Sequence, residues 1–224
     1  MNTPEIRIFR VQRNREQILR FAGIPVKKSD PVQDTASSSG GVASSAALPE
    51  DAAMPDVSLS LMEECLSSLT KEAEGSIVFL RLPIERDPST LFIAGIPISS
   101  SALRRHLEGC IQCLILAGTA GLTYDRLIRK NTRLSPAKAL WYQAIGASAI
   151  ESVLDAFCDE MEKKIGPLTT RFSPGYADLP LSMQKDLFAV LKPEKAIGLT
   201  LNESLLMTPT KSVTAIIGIK GQRT

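Results

Sequence analysis

The stretch SPAKALWYQAIGASAIESVLDAFCDEMEKK, residues 135–164, decides how the rest of the chain is read. Ser135 and Pro136 form an N-cap and first-turn proline, and no breaker interrupts the apolar spacing that follows. The second half places Ile150, Leu154, Phe157, Met161 and Ile165 on one stripe, which predicts burial. The first half carries Gly146, Ala147, Ser148 and Ala149, small enough for another element to approach closely. Downstream, Val213, Ala215, Ile217 and Ile219 alternate as in a half-buried strand, and Ile197, Leu199 and Leu201 repeat the pattern. A short helix is expected over 182–191. Upstream, 76–82 and 91–98 read as strands, and Ser101–Leu116 as a helix with Leu103, Leu107, Cys110, Ile111 and Leu114 on one side. AGTAGLT at 117–123 is a Gly-punctuated turn. Strands before and after a helical block, without βαβ alternation, give an α+β fold. No Gly-rich strand–turn–helix fingerprint supports a dinucleotide-type sheet.

Charge divides the remaining sequence. Residues 1–28 hold seven Lys or Arg against Glu5 and Glu16, while 29–64 hold none and seven acids. The first segment is expected to be a short basic helix around Arg13–Phe21, closed by Gly23 and Pro25. Residues 29–56, rich in Ser, Ala, Gly and Pro, cannot bury enough apolar surface to offset backbone ordering and read as a flexible linker. The main domain is then 57–224, opening with an amphipathic helix over 59–73. The whole chain has 224 residues, 44% apolar, with a formal charge of +2, which argues against nucleic acid as a partner. With no apolar run near the roughly 18 residues that cross a bilayer, the expectation is a cytoplasmic protein with no membrane partner.

Three groups of residues carry chemistry. His106, Cys110 and Cys113, at i, i+4 and i+7, would share one face of the expected helix, yet cysteine is foremost a small core hydrophobe, so burial rather than metal binding is expected. Arg126, Arg129, Lys130 and Arg133 suit an anionic partner surface or a solvated helix face. Most informative is RFSPGY, 171–176: Arg171 offers a planar fork to a carboxylate, Gly175 lets backbone pass close to a ligand, and Tyr176 adds a ring and hydroxyl. A loop shaped only by its proline and glycine is the other reading.

RFSPGYADLPL at 171–181, followed by IGLTLNESLLMTPTKSVTAIIG at 197–218, resembles the activation domain of vitamin B12-dependent methionine synthase. That family carries Arg-x-x-x-Gly-Tyr and then Leu-Thr-Glu-Ser-x-x-Met-x-Pro leading into Ser-Val. Arg171, Gly175 and Tyr176 match the first; Leu201, Glu203, Ser204, Met207, Pro209, Ser212 and Val213 match the second, with Asn202 in place of Thr. The resemblance is good over 137–219 and faint over 76–136. It implies a twisted antiparallel sheet with packed helices and an S-adenosylmethionine site at Arg171, Ser173, Gly175 and Tyr176, with Glu151 as an acidic contact.

The implied function is reactivation. An electron from a flavodoxin-like donor reduces cob(II)alamin, and the sulfonium methyl of S-adenosylmethionine drains the reduced corrinoid to methylcobalamin. The chain would be a stand-alone activation component with no catalytic side chain of its own, positioning the reactants. The family's Asp-x-His-x-x-Gly cobalamin motif is missing, so cobalamin would arrive on a methionine synthase or other corrinoid protein. Met207 and Pro209 would face outward at a turn and meet the corrin, unless this is an ordinary strand connection. The family's C-terminal aromatic and an acidic contact near the domain start have no counterpart, which would cost about 1–3 kcal/mol each as buried hydrogen bonds. This leaves the alternative of a non-catalytic corrinoid-protein partner that no longer binds S-adenosylmethionine.

Overall fold

The computed structural model describes residues 3–24, 56–69, 73–88 and 90–221. In chain order the elements are β1 (Glu5–Arg10), α1 (Arg15–Phe21), α2 (Asp56–Ser67), β2 (Glu74–Arg86), β3 (Leu91–Ile93), β4 (Ile96–Ile98) and α3 (Ser101–His106). There follow β5 (Cys110–Thr119), α4 (Thr123–Leu134), α5 (Pro136–Ile165), α6 (Met183–Leu191), α7 (Pro193–Ile197), β6 (Thr200–Leu201), β7 (Met207–Thr208) and β8 (Ser212–Lys220). The main sheet runs β4-β3-β2-β5-β8, with β1 also on β2, and every pairing is antiparallel. This is the expected α+β architecture.

Strand alternation sends side chains to two cores. Ile77, Phe79, Leu114, Leu116, Ala215 and Ile217 face α5 and meet Val153, Leu154 and Phe157, all three fully buried. Phe79 and Phe157 pack edge to face, centroids 5.0 Å apart. Each such side chain contributes roughly 1.5–3 kcal/mol on burial. The opposite face, with Val78, Leu80, Cys113, Ile115, Ala117 and Ile216, is covered by Leu103, Leu187, Leu191 and Leu199 from the α3, α6 and α7 region. The small residues of α5 act as expected. A Cβ on Gly146 would lie 3.0 Å from Lys211 and 3.1 Å from the Tyr124 ring, so α4 and the lead-in to β8 sit hard against the helix.

Several expectations are corrected. The helix expected over 101–116 ends at His106; Gly109, at φ +75°, turns the chain into β5, the strand between β2 and β8. A strand buried on both faces is a continuous apolar run, and over so few residues such a run does not distinguish helix from strand. The single strand expected over 91–98 is a hairpin, β3–β4, because Ala94 and Gly95 both take positive φ, as a two-residue hairpin turn requires. The strand expected around 197–201 shrinks to the two residues of β6, because α7 occupies Pro193–Ile197 and Gly198 caps it at φ +68°. The opening helix is α2, which ends at Ser67 rather than Ala73.

Residues 1–28 are more than a basic helix. Helix α1 is present, capped by Asn14 accepting from the Gln17 N–H at 3.1 Å, but β1 precedes it and pairs with β2 over Glu5–Arg10. Ile18 is fully buried in the α5 core, so β1 and α1 pack as part of the body assigned to 57–224. Charged residues in EIRIFR mask the strand in composition: Arg7 sits half-buried beside Glu160 of α5, while the apolar Ile6 and Ile8 are exposed, at 45% and 62%. The linker expected over 29–56 lies outside the described residues except at Asp56, which opens α2. Among the described residues no helix is long and apolar enough to cross a membrane.

Candidate functional site

After α5 the chain turns at Gly166 and runs along the free edge of β8. Leu168 bridges Ile219 and Phe172 bridges Ile216, the latter through reciprocal hydrogen bonds of 3.0 and 2.9 Å. Phe172 enters the second core, so its neighbour Arg171 points the other way, toward α5. There Nη2 donates to Glu151 Oε2 at 2.5 Å and Nη1 to Asp155 Oδ1 at 2.7 Å, with Cys158 Sγ at 4.0 Å. Glu151, Asp155 and Cys158 stand at i, i+4 and i+7 and therefore share one face of α5. The Arg171 and Glu151 side chains are 18% and 20% exposed, while Asp155 is 55% exposed.

Burial dominates the electrostatics. Desolvation raises the Glu151 pKa, with Arg171 opposing and Asp155 adding to the rise. Burial works against the Arg171 charge, but the Asp155 hydrogen bond and the charges of Glu151 and Asp155 outweigh it, so its pKa moves up. Burial likewise raises the Cys158 thiol. The result is a permanently charged guanidinium on two carboxylates, the inner one tightly enclosed and the outer one open to water.

Downstream the loop folds on itself. The Tyr176 N–H donates to Ser173 at 3.1 Å, the Gly175 N–H to Leu179 at 2.8 Å, and the Leu179 N–H to Tyr176 at 3.0 Å. Gly175 takes φ +89°, and a Cβ there would also press on Leu181 at 3.2 Å, so backbone alone fits. Pro174 is buried, Ser173 half-buried, and Tyr176 is 51% exposed with its ring edge-on to Phe172 at 5.3 Å. Asp178 pins the loop to the start of α3. It accepts from the Ser101 N–H and hydroxyl at 2.7 Å each, and from the Ser100 hydroxyl at 2.5 Å. The Ser100 and Ser101 hydroxyls hold its carboxyl well below the usual carboxylate range.

The second motif sits at the start of β8. Asn202 Oδ1 accepts from the Leu206 N–H at 2.9 Å, closing a turn in which Leu205 has φ +62°. The expectation that Met207 and Pro209 face outward is corrected. Met207 pairs with Leu201 and packs half-buried on the second core, and Pro209 is buried after a cis bond. Leu206, just ahead of β7, is the exposed apolar residue here instead, at 65%. The Thr210 N–H donates to Asp125 of α4 at 2.8 Å, and the Ser212 hydroxyl to the Pro209 carbonyl at 2.7 Å. Thus β8 joins the two motifs: Ser212 begins it, and Phe172 pairs with its middle.

The structure brings Arg171 and Glu151 together and places Ser173, Gly175 and Tyr176 on the adjoining loop. Asp155 was missed, although it lies one helical turn beyond Glu151; Asp178 carries no spacing signal. Cys110 and Cys113 are buried in β5, so they share no helical face with His106. His106 instead bonds the Thr170 carbonyl at 2.7 Å and stacks obliquely on Phe172 at 5.1 Å. Arg126, Arg129, Lys130 and Arg133 all lie exposed on α4.

Comparison with known proteins gives a partial sequence match and a likeness of fold. Residues 163–222 match the family model "Vitamin B12 dependent methionine synthase, activation domain". No curated protein matches the sequence. Among solved structures, the MetH reactivation domain bound to AdoHcy superposes with a TM-score of 0.59 at 17% identity, over 75% of this chain and 67% of that one. At that identity the likeness is one of fold. Over residues 163–222 the chain is similar in sequence to the activation domain of vitamin B12-dependent methionine synthase, and its fold is like that of the MetH reactivation domain.

Proposed function

We propose that this protein binds S-adenosylmethionine at the Arg171 site and supports reductive remethylation of cob(II)alamin on a separate corrinoid protein. The partner would be methionine synthase or another corrinoid methyltransferase, with a flavodoxin-like protein or another reductant supplying the electron. The observation that carries the reading is the Arg171–Glu151–Asp155 cluster beside the Gly175–Tyr176 loop; Arg171 and the loop fall inside the segment that matches the family, and the two carboxylates come from α5 ahead of it. An amino-acid moiety needs a bidentate cation for its carboxylate and an acid for its ammonium; Arg171 and the two carboxylates are that donor set. Gly175 presents backbone without a Cβ, Ser173 lies beside it, and the exposed Tyr176 ring offers a face to a flat base or a hydroxyl to a polar atom. When bound, S-adenosylmethionine supplies an activated methyl group. The chain's own residues hold and orient it and exclude water, with no general base required. Leu206 takes the outward position first assigned to Met207 in a docking surface for the corrinoid partner.

A second reading has one observation in its favour. Both terminal nitrogens of Arg171 already hold the chain's own carboxylates, as they would in a corrinoid-binding relative that has lost the ligand. The test mixes the protein with a cob(II)alamin-loaded corrinoid methionine synthase and a reductant, and follows the corrinoid absorbance. Formation of methylcobalamin that needs both S-adenosylmethionine and this protein supports the first reading. Association without methylation supports the second.

A further inference from the structure

The short helix α3 fastens the loop of the Arg171 site at both ends. Where α3 finishes, His106 Nε2 lies 2.7 Å from the Thr170 carbonyl, one residue before Arg171. A carbonyl only accepts, so Nε2 carries the proton and donates. Where α3 starts, Asp178 accepts from the Ser101 N–H and hydroxyl and from the Ala102 N–H at 3.2 Å. Six helical residues rise about 9 Å. Thr170 to Asp178, eight steps of chain, extends to roughly 26 Å at most, so slack remains between the anchors. That slack bows outward and leaves Gly175 and Tyr176 exposed.

His106 holds the same loop a second way. Its ring lies against Phe172 at 5.1 Å, and Phe172 meets Tyr176 edge-on at 5.3 Å. One histidine, the single one in the chain, thus reaches the backbone next to Arg171 and, through Phe172, the Tyr176 ring. The loop is not in a relaxed conformation. Ala177, between Tyr176 and the Asp178 anchor, has φ +51° although it bears a Cβ, a conformation that persists only where surrounding contacts impose it.

We propose that His106 is a positioning residue of the Arg171 site, setting the joint placement of the Arg171 guanidinium and the Tyr176 ring from α3, with Asp178 as the second anchor. His106 itself touches no ligand. The proposal rests on the reading of this site as one for S-adenosylmethionine and adds that its affinity is governed from a helix outside the ligand's reach. A ligand held by its amino-acid end and by its flat base needs the two groups at a fixed separation, and a loop that must be ordered on binding loses affinity.

The test pairs amide hydrogen exchange of the ligand-free full chain with calorimetric titration of S-adenosylmethionine, in wild type, His106→Leu, His106→Gln and Asp178→Asn. Leucine keeps bulk against Phe172 and removes the donor; glutamine keeps a side-chain N–H. The Gly175, Tyr176 and Leu179 amides bond within the loop and report its order. His106→Leu should speed their exchange roughly tenfold or more, with β5 amides unchanged, and weaken S-adenosylmethionine roughly tenfold. His106→Gln should restore both toward wild type. Asp178→Asn reaches the loop from its other anchor and should speed the same three amides, which keeps the test decisive should His106→Leu lose protection in β5 as well. Binding by wild type that neither His106→Leu nor Asp178→Asn weakens overturns the proposal alone. So does a loss of affinity with unchanged loop exchange, or one that His106→Gln does not relieve. No binding by wild type at millimolar ligand overturns the reading of the site, and the proposal with it.

Discussion

Replacing Arg171 by alanine strands Glu151. In the wild type this carboxylate is 20% exposed and its Oε2 accepts from Arg171 at 2.5 Å. Removing one partner of an enclosed ion pair costs about 3–5 kcal/mol when burial is complete. Glu151 keeps some water access, so the low end applies, and the more exposed Asp155 pair adds at most about 1 kcal/mol. A loss near 3 kcal/mol lowers the Tm of a domain this size by about 6–12 °C. The pH dependence carries the diagnostic sign. Burial raises the folded-state pKa of Glu151 above its ordinary 4.5, so stability from this group is full below 4.5 and is lost as pH rises through the folded value. Without Arg171 to oppose burial, that rise is larger. The deficit of Arg171→Ala should therefore be greatest near pH 7 and shrink toward pH 5. Adding Glu151→Gln to Arg171→Ala should recover much of the loss, since no buried charge remains unpaired. Thermal melts of the four proteins across pH complete the cycle. A loss that is independent of pH and untouched by Glu151→Gln would refute the account of Arg171 as the counter-ion of an enclosed carboxylate.

Other outcomes follow from the same packing. Gly218→Ala would put a Cβ 2.7 Å from Cys110 Sγ and 2.9 Å from Leu107, so denaturant melts should show a loss of about 1–3 kcal/mol. Asp178→Ala should lower Tm at pH 7; because its folded pKa is depressed, the stability it contributes is present above 3.8 and is lost as pH falls through the folded value, so wild type and variant should converge in acid. Burial pushes the Cys113 thiol up to about 12 and raises those of Cys65, Cys110 and Cys158. A thiol reagent at pH 8 should therefore label the native protein slowly and titrate all four cysteines only after unfolding.

What was legible in the sequence follows from how each segment meets solvent. Helix α5 keeps one buried stripe, and strand β8, though buried on both faces, alternates Val213, Ala215, Ile217 and Ile219 toward α5 with Thr214, Ile216 and Gly218 toward the other side, so their periods of 3.6 and 2 survive in the sequence. Strand β5 has apolar neighbours on both faces, with Leu114 and Leu116 toward α5 and Cys113 and Ile115 toward the other core, so its period vanished and it passed for helix. Strand β1 hid because its pattern runs against burial, with Arg7 turned inward beside Glu160 and Ile6 and Ile8 left exposed. At the site, Arg171 and the Gly175 turn were readable because their residue types have few alternative uses. The Asp155 contact is tertiary: it exists only because β8 holds Arg171 against one face of α5. Met207 and Pro209 were misplaced because the two-residue pairing of β6 and β7, which sets which side chains turn inward, leaves no period to read.

The central claim is that Arg171 and its loop form a binding site for S-adenosylmethionine. Its most direct test is calorimetric titration of S-adenosylmethionine into wild type, Arg171→Ala and Arg171→Lys, each first shown by circular dichroism to be folded. Saturable binding is expected in wild type, weakened in Arg171→Ala by about 1.5–3 kcal/mol, the worth of a hydrogen bond to a charged group. Arg171→Lys should recover only part of the loss, because lysine lacks the fork. Absence of binding to the folded wild type at millimolar ligand, or equal affinity in all three proteins, would contradict the claim.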